Sequence, residues 1–240
     1  MALKLDLHIH SLHSPDCESG LADIAAAAEA AGLRFYAVTD HDALPAVTDP
    51  AAIRGEEIST VCGHVLGLFL KEKITETNTV AALKAVKAQG GVTVIPHPLR
   101  PGSGLCEEEI RTLAPLIDAI EIYNPSNTEY GNARAYALAA ELGKTMLCGS
   151  DAHRTADIGR GAFTSAADIP DAQALKTLLL ENRLAPRFSK QQLPPTAAQP
   201  LRLALLWSEH CVRTLGLHQA GILRYPLHLA SELGRRLTGK

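Results

Sequence analysis

Short apolar runs that are typical of β-strands alternate with helical segments through most of this 240-residue chain. Because parallel strands need long crossovers, which are usually helices, this alternation predicts a largely parallel sheet with helices outside it. Polar residues follow nearly every predicted strand, whereas an open sheet would concentrate them at one switch point. This distribution favours a closed α/β barrel, in which functional groups lie at the C-terminal ends of several strands.

The predicted strands share an apolar composition and span Leu3–Ile9, Phe35–Thr39, Ile53–Ser59, His64–Leu70, Val92–Pro96, Ala119–Tyr123 and Thr145–Cys148. The third and fourth of them are close enough in sequence to pair as a hairpin. Helices, several of them followed by a glycine that can end a helix, are predicted at Leu21–Ala31, Thr79–Gln89, Glu107–Ala114, Asn132–Leu142 and Asp171–Glu181.

Composition narrows the class of protein. A hydrophobic content of 46% provides a substantial core, and a net charge of −3 gives no electrostatic case for duplex nucleic acid as a partner. The five cysteines lack CxxC spacing, so we expect free buried thiols in a reducing cytosol. The sequence shows neither a signal-peptide pattern nor an apolar run of membrane-spanning length. We therefore expect a soluble, cytoplasmic protein.

The composition changes near residue 189, which predicts three regions: a barrel domain at 1–188, a proline-rich linker at 189–200 and a helical appendage at 201–240. The appendage is rich in leucine and arginine. Its helices are expected to pack on the barrel or on a second subunit, which makes a homo-oligomer a candidate assembly. A basic amphipathic segment lying on a membrane surface is the alternative.

Histidines recur where the predicted strands end. His8 and His10 are two residues apart, so their rings leave the first strand on one face. Six of the ten histidines fall in such motifs, namely His8, His10, His41, His64, His97 and His153. Histidine is the commonest metal ligand, and six in one type of position predict a metal site.

Carboxylates supplement the histidines. Asp151 and His153 repeat the spacing of the first pair, and Asp16 lies in a polar loop soon after it. Glu57 follows Glu56, so one of these two acids should face into the barrel and the other out. A set of imidazoles and carboxylates without thiolate suits Zn²⁺, Mn²⁺ or Fe²⁺.

Two more carboxylates are candidates for orienting the metal ligands through hydrogen bonds. Asp40, in Thr39-Asp40-His41, could hold the ring of His41 and fix its tautomer. Glu121 ends the Ala119–Tyr123 strand, where it could support a ligand in the same way.

Taken together, these motifs resemble those of the PHP (polymerase and histidinol phosphatase) family of metal-dependent phosphoesterases. The matching pieces lie in order between residues 6 and 153, and they are Asp6-Leu7-His8-Ile9-His10-Ser11 with Asp16, Thr39-Asp40-His41-Asp42, Gly55-Glu56-Glu57-Ile58-Ser59, Gly63-His64-Val65-Leu66-Gly67, Ile95-Pro96-His97-Pro98, Ile120-Glu121-Ile122-Tyr123-Asn124 and Gly149-Ser150-Asp151-Ala152-His153. The resemblance implies a distorted (β/α)7 TIM-like barrel with a centre of two to three metal ions at its C-terminal face.

The resemblance also implies a ligand for each metal. The first metal would be held by His8, His10, Glu57 and Asp151. Glu57 would bridge to a second metal that is also held by His64 and His97. The third would be held by Asp16, His41 and His153. Only fifteen residues separate His41 from Glu57, too few for the usual helix, so we expect the barrel to be opened or reshaped there.

Such a centre implies hydrolysis of a phosphoester, since a divalent ion lowers the pKa of bound water towards about 7. Arginines that could bind the phosphate are Arg100, Arg154 and Arg160. His13 is a candidate for protonating the leaving oxygen, and Glu57 and Asp151 take part through the metals. A small phosphorylated metabolite or nucleotide is the expected substrate.

Two alternatives remain from the sequence. One is an amidohydrolase-like enzyme that cleaves a C–N bond, although such barrels usually carry a modified lysine ligand and no lysine is among the candidate ligands at the strand ends here. The other is a metal-binding scaffold without activity, which would be expected to lack some ligands.

Overall fold

The structure of the protein, a computed structural model, describes residues 3–194. The predicted appendage at 201–240, its candidate subunit interface and the second half of the linker lie outside these residues. The described strands are β1 Leu3–Ile9, β2 Phe35–His41, β3 Ala52–Thr60, β4 Gly63–Leu68, β5 Val92–Ile95, β6 Ala119–Tyr123, β7 Thr145–Cys148, β8 Phe163–Ser165 and β9 Pro186–Arg187. The described α-helices are α1 Leu21–Ala30, α2 Thr79–Ala88, α3 Glu107–Leu113, α4 Glu129–Glu141 and α5 Ala172–Leu180.

All the described strands belong to one sheet, in the order β7-β6-β5-β4-β3-β2-β1-β8-β9. The pairs β1–β2, β2–β3, β5–β6 and β6–β7 are parallel. Strand β4 is antiparallel to both of its neighbours, so the predicted hairpin of β3 and β4 is confirmed. As a result, the start of β4 lies at the same edge of the sheet as the ends of the parallel strands.

The two ends of the seven-stranded part of the sheet meet just beyond β1 and β7. The amide of Asp151 donates to the carbonyl of His8, and the amide of His10 donates to the carbonyl of Ala152, both at 2.9 Å. Ile9 and Ala152 form a parallel bridge between them. The sheet therefore nearly closes into a barrel, as predicted, at the edge where the candidate metal ligands lie.

The regular (β/α)7 repeat is not what the described residues form. The seven predicted strands are present, but β8 and β9 extend the sheet beyond β1 with antiparallel pairing. Helices are absent from the β2–β3 connection and from the β3–β4 hairpin. The α/β barrel class is thus right, and the alternation is irregular because one strand runs in the opposite direction.

The connection from β2 to β3 contains no helix, as its two prolines indicated. Side chains hold it instead: Arg54 donates to the carbonyls of Leu44 and Pro45, and the Tyr36 hydroxyl donates to Asp49 at 2.8 Å. Strands β2 and β3 stay paired in register from Tyr36 to His41. Of the two expected outcomes, the barrel is therefore not opened at this point, and its change of shape is limited to the missing helix.

Helix ends follow the local sequence closely. Gly32, at φ +70°, and Gly143, at φ +62°, adopt the left-handed conformation just after α1 and α4. Helix α4 begins three residues before the predicted Asn132, because the Thr128 side chain accepts a hydrogen bond from the amide of Gly131 and caps the helix.

Two expectations from the sequence concern the cellular location: the lack of a membrane-spanning segment and the presence of free buried thiols. Among residues 3–194, no helix has the length and hydropathy that crossing a bilayer requires. The four described cysteines are free. Only Cys17 and Cys148 are buried, however, so the expectation that the thiols are buried is wrong for Cys62 and Cys106.

The packing of α2 on the sheet gives a stability prediction. Leu83 has no exposed surface, and truncation of such a side chain removes apolar contacts and leaves a cavity. We expect Leu83→Ala to lower the free energy of unfolding by about 2–5 kcal/mol in urea titrations. Leu180→Ala is the control, because Leu180 is 44% exposed and its truncation should change stability by about 0.5 kcal/mol or less. Equal losses for the two variants would contradict this packing.

Candidate metal centre

The candidate ligands converge at one edge of the sheet because of strand direction. His8, His41 and Glu57 lie on β1, β2 and β3 near their C-terminal ends, and His97 follows β5. His64 lies at the start of β4, which is antiparallel and therefore begins at this same edge. The remaining candidates come from the loops after β1 and β7, namely His10, Asp16, Asp151 and His153.

The carboxylate of Glu57 is at the centre of this cluster and has no exposed surface. Its Oε2 lies 3.2–3.3 Å from ring nitrogens of His8, His10 and His41. Its Oε1 lies 2.8 Å from ring nitrogens of His64 and His97. One carboxylate thus contacts five imidazoles, three through one oxygen and two through the other.

The first group of donors is fully buried and consists of His8, His10, Glu57 and Asp151. The Nε2 atoms of the two histidines are 3.2 Å apart. Asp151 Oδ1 lies 3.1 Å from His10 Nε2 and 3.5 Å from His8 Nε2. Four donors around one point at metal–ligand distances of about 2.0–2.2 Å would be separated by about 3.3–3.6 Å in a tetrahedron, so this spacing fits a divalent ion.

Two further groups adjoin the first. Glu57 and His64 form one of them with His41, and His97 contacts the same carboxylate. The other contains His41 and His153 with His10. By distance, His41 therefore belongs to both groups.

Asp16 completes the second of these groups. Its Oδ2 lies 3.2 Å from His153 Nε2 and 3.6 Å from His41 Nε2. The structure thus brings all nine predicted donors together.

The chemistry of the donors also fits metal ions. Nitrogen and carboxylate oxygen are the ligands of Zn²⁺ and of other transition metals, and the nine side chains offer no other type. Two buried ring nitrogens, His97 Nδ1 and His153 Nε2, make no well-aligned hydrogen bond with the described residues, although Asp16 Oδ2 lies 3.2 Å from the second of them. Such atoms normally have partners in native proteins. A cation next to His153 would give its Nε2 atom a ligand role.

Electrostatics in the cluster favour ionised carboxylates. Burial alone would raise the pKa of Glu57, but the charge of His8 and hydrogen bonds from His10 and His64 hold it well below its usual value. Burial likewise opposes ionisation of Asp151, whose pKa is nevertheless lowered well below its usual value by His8 and His10. These buried anions need positive charge beside them, which protonated imidazoles or metal ions can provide.

Glu121 supports the donors, as predicted. Its Oε1 lies 3.2 Å from Nδ1 of His8, and its Oε2 accepts from the amide of His97 at 2.7 Å. Asn124, for which the sequence suggested no role, donates from Nδ2 to Glu121 at 3.0 Å and to Asp151 at 3.3 Å. Its sequence signals were its position directly after β6 and its place in the motif Ile120-Glu121-Ile122-Tyr123-Asn124.

The predicted role of Asp40 is wrong. Its carboxylate accepts hydrogen bonds from the amide and hydroxyl of Ser11 and from the hydroxyl of Ser14, rather than from the ring of His41. Sequence reasoning missed both serines. They lie within the loop that carries His10 and Asp16, and this position was the available signal.

The adjacent acids Glu56 and Glu57 do face opposite sides of β3, which confirms that prediction. Glu56 Oε2 accepts from the amide of Ile74 at 2.9 Å, away from the histidines. Both side chains are nevertheless fully buried. Burial raises the pKa of Glu56, which has no cationic cluster around it comparable to that of Glu57.

The backbone at two donors is strained. His97 has φ +28° and Asp151 has φ +52°, values that cost a non-glycine residue of order 1–3 kcal/mol. Next to Asp151, Gly149 packs so closely that an added Cβ would overlap Glu121 Oε1 and His8 Cβ. The chain therefore requires glycine where it passes behind the ring of His8.

Of the basic residues that were candidates for binding phosphate or donating a proton, only one arginine contacts the cluster of donors. The guanidinium of Arg100, 26% exposed, donates to Asp151 Oδ2 and so reaches the cluster. The structure does not bring Arg154 or Arg160 there, because both pair with Asp157 and their side chains are 78% and 64% exposed. His13 is exposed, and its Nδ1 lies 3.0 Å from the hydroxyl of Ser11.

Fold and site together define a metal-binding α/β barrel protein. A sequence profile described as PHP-associated matches residues 129–184. A probable phosphatase from Shewanella sp. strain ANA-3 is 30% identical over 215 residues, which cover 72% of this chain and 84% of the relative. The chain therefore belongs to the PHP family.

Solved structures share the fold. A two-domain protein from Bacteroides vulgatus, described as containing a predicted PHP-like metal-dependent phosphoesterase, superimposes with a TM-score of 0.62 at 20% identity, over 78% of this chain and 65% of that chain. An amidohydrolase from Chromobacterium violaceum, with bound sulfate and no metal, superimposes with a TM-score of 0.56 at 18% identity, over 75% of this chain and 96% of that chain. These likenesses bear on the fold alone.

The close packing of Gly149 gives a prediction for the site. Gly149→Ala should displace the ring of His8 and weaken binding of Zn²⁺ by about tenfold or more, as loss of a ligand's support does. Competition with a fluorescent chelator measures this affinity. Gly143→Ala is the control: it strains a left-handed residue but meets no atom within 4 Å, so it should lower stability and leave metal affinity unchanged. Parent-like affinity in Gly149→Ala would contradict the described packing.

Proposed function

We propose that this protein hydrolyses the phosphomonoester of a small metabolite or nucleotide at a site that holds three divalent metal ions. As a PHP family member it is a hydrolase of phosphoester bonds, and the proposal concerns the substrate and the number of metals. The observation that carries it is the contact of Glu57 with five histidines, divided between its two oxygens.

The proposed ligands follow the three donor groups. His8, His10, Glu57 and Asp151 would hold the first ion. Glu57, His64 and His97 would hold the second, and Asp16, His41 and His153 the third. Zn²⁺, Mn²⁺ or Fe²⁺ would suit these nitrogen and oxygen donors. Support for a bridging role of Glu57 comes from its Oε2 facing the first group and its Oε1 facing His64 and His97.

When bound, divalent ions supply Lewis-acid stabilisation of phosphoryl oxygens and a hydroxide nucleophile at neutral pH. Residues of this chain would bind the phosphate and supply the proton for the leaving group. Arg100, partly exposed beside Asp151, would bind a non-bridging phosphate oxygen with a charge-assisted hydrogen bond. His13, on the loop after β1, would donate the proton that the leaving oxygen needs.

A cavity lies beyond Asn124, and although none of the nine donors lines it, it could hold the leaving group of a small substrate. The cavity, of about 730 Å³, borders Asn124, whose amide contacts Asp151, and it extends along the start of α4 to residues 190–194. Its volume lies within the range of pockets that bind small molecules. Polar side chains line much of it, which suits a leaving group that carries hydroxyls or ring nitrogens. Duplex nucleic acid is not proposed as a substrate.

A C–N hydrolase is the second candidate, since the fold is shared with an amidohydrolase from Chromobacterium violaceum. The nine donors argue against it, because they consist of histidine, aspartate and glutamate and include no lysine. A scaffold without activity is a third reading, and it is less consistent with a complete donor set. We also propose a cytoplasmic location, since the described cysteines are free thiols, as is usual in a reducing compartment.

The test is metal analysis of the purified full chain, followed by assays with Zn²⁺, Mn²⁺ or Fe²⁺ on p-nitrophenyl phosphate and a panel of phosphorylated metabolites and nucleotides. We expect bound metal and release of inorganic phosphate. Bound metal with cleavage of amides alone would support the C–N hydrolase. Bound metal without any turnover would support the scaffold, and a protein that remains metal-free in saturating divalent ions would overturn all three readings.

Glu57→Gln should be the most damaging single change. Its amide cannot serve two cations, so activity should fall by more than the roughly 10–100-fold that partners of metal ligands contribute, and less metal should remain bound. Glu56→Gln is the matched control, because Glu56 is adjacent and equally buried but faces away from the histidines. Activity assays and metal analysis of the two variants should differ sharply. Normal activity and metal content in Glu57→Gln would remove the central assumption of the proposal.

Arg100→Ala should reduce kcat/KM by about 10–100-fold, mainly through KM, since a hydrogen bond to a charged group contributes about 1.5–3 kcal/mol. Metal content should be retained. Arg154→Ala is the control, because that side chain pairs with Asp157 and should not affect turnover. If Arg100→Ala instead loses metal while Arg154→Ala does not, the role of Arg100 is to hold Asp151 rather than to bind phosphate.

A further inference from the structure

Asp40 is fully buried on β2 beside the donors without belonging to them. Its carboxylate accepts hydrogen bonds from the amide of Ser11 at 2.6 Å, the hydroxyl of Ser11 at 2.7 Å and the hydroxyl of Ser14 at 2.8 Å. An ionised carboxylate only accepts hydrogen bonds, so each of these groups must donate to it. The hydroxyl protons of both serines are thereby directed towards Asp40.

Because its proton is donated to Asp40, the Ser14 hydroxyl can only accept hydrogen bonds from its other neighbours. A serine hydroxyl has one proton and two lone pairs, and the proton of Ser14 is used by Asp40. Its oxygen must therefore accept from its remaining neighbours, which are the amide of His41 at 2.9 Å and Nδ1 of His10 at 3.1 Å. Nδ1 of His10 then carries the hydrogen. Nε2 faces the first donor group: without metal it donates to Asp151 Oδ1 at 3.1 Å, and a metal ion held there would take the place of the hydrogen on Nε2.

We propose that Asp40 and Ser14 are positioning residues that keep a hydrogen on Nδ1 of His10, so that Nε2 is the nitrogen that binds metal. The inference rests on the proposed function, because it takes His10 as a ligand. It extends that function by assigning the buried carboxylate and hydroxyl that prepare this ligand. The same hydroxyl also holds the backbone of His41, so one side chain sets the position of two donors.

The neighbouring ligand shows the same principle in a simpler form. Nδ1 of His8 lies 3.2 Å from a carboxylate, that of Glu121, without an intervening hydroxyl. In both histidines, Nε2 is the atom that points into the first donor group. Partners of this kind fix the orientation of a ligating ring and typically change metal affinity by about 10–100-fold.

Ser14→Ala and Ser11→Ala form a matched pair for the test. Each removes one buried hydroxyl from Asp40, but only Ser14 contacts His10. In the full chain, with Zn²⁺ as the probe and a fluorescent chelator as competitor, we expect Ser14→Ala to weaken the tightest site about tenfold or more and Ser11→Ala to leave it nearly unchanged. Ser14→Thr, which keeps the hydroxyl, should restore affinity. Thermal unfolding of each variant checks that the fold is retained.

A direct measurement on the parent chain does not depend on the variants folding. Nitrogen NMR of the Zn²⁺-loaded protein should show the hydrogen of His10 on Nδ1 and the metal on Nε2. A hydrogen on Nε2, or equal affinity losses for Ser14→Ala and Ser11→Ala, would overturn the inference while leaving the proposed function intact. A parent chain that binds no Zn²⁺ would instead overturn the proposed function and, with it, the assignment of His10 as a ligand.

Discussion

A charged side chain with no exposed surface needs close partners, because loss of its hydration costs several kcal/mol even in a relaxed protein. Glu57 finds these partners in ring nitrogens carried by β1, β2 and β4 and by the segments after β1 and β5. The carboxylate of Glu57 can be buried only if the strand ends that carry these histidines converge around it. The near-closure of the sheet, the reversed direction of β4 and the bridge between Ile9 and Ala152 all serve this convergence.

The backbone around the cluster is held in conformations that the sequence alone would not favour. His97 and Asp151 have positive φ values, although neither is glycine. Gly149 and Gly161 lie so close to other groups that neither position has room for a side chain. Strain of this kind persists only where surrounding contacts over-determine the geometry, and two of the six described non-glycine residues with positive φ are donors. The barrel therefore stabilises a site whose local geometry is unfavourable by itself.

The sequence predicted the parts of this protein that have a strong periodic signal. All seven longer strands were predicted because their apolar runs are bounded by turns. Strands β8 and β9 were missed because three and two residues are too short to show alternation. Most of the donors were noticed because histidine and carboxylate residues are unusual at strand ends, and the full set of nine came from the resemblance to the PHP family. The partners of Asp40 could not, since hydrogen bonds between a strand and a distant loop leave no spacing in the sequence.

The connection between β2 and β3 shows why the donors assemble even where the regular repeat fails. Ten residues without a helix join these strands, yet His41 and Glu57 are direct neighbours in the parallel register. Side chains two apart on a strand share a face, and register between strands sets which side chains meet. Arg54 and Tyr36 hold the connection from outside, so the pairing does not require a covering helix. Strand register, rather than the helical layer, is therefore what places His41 against the central carboxylate.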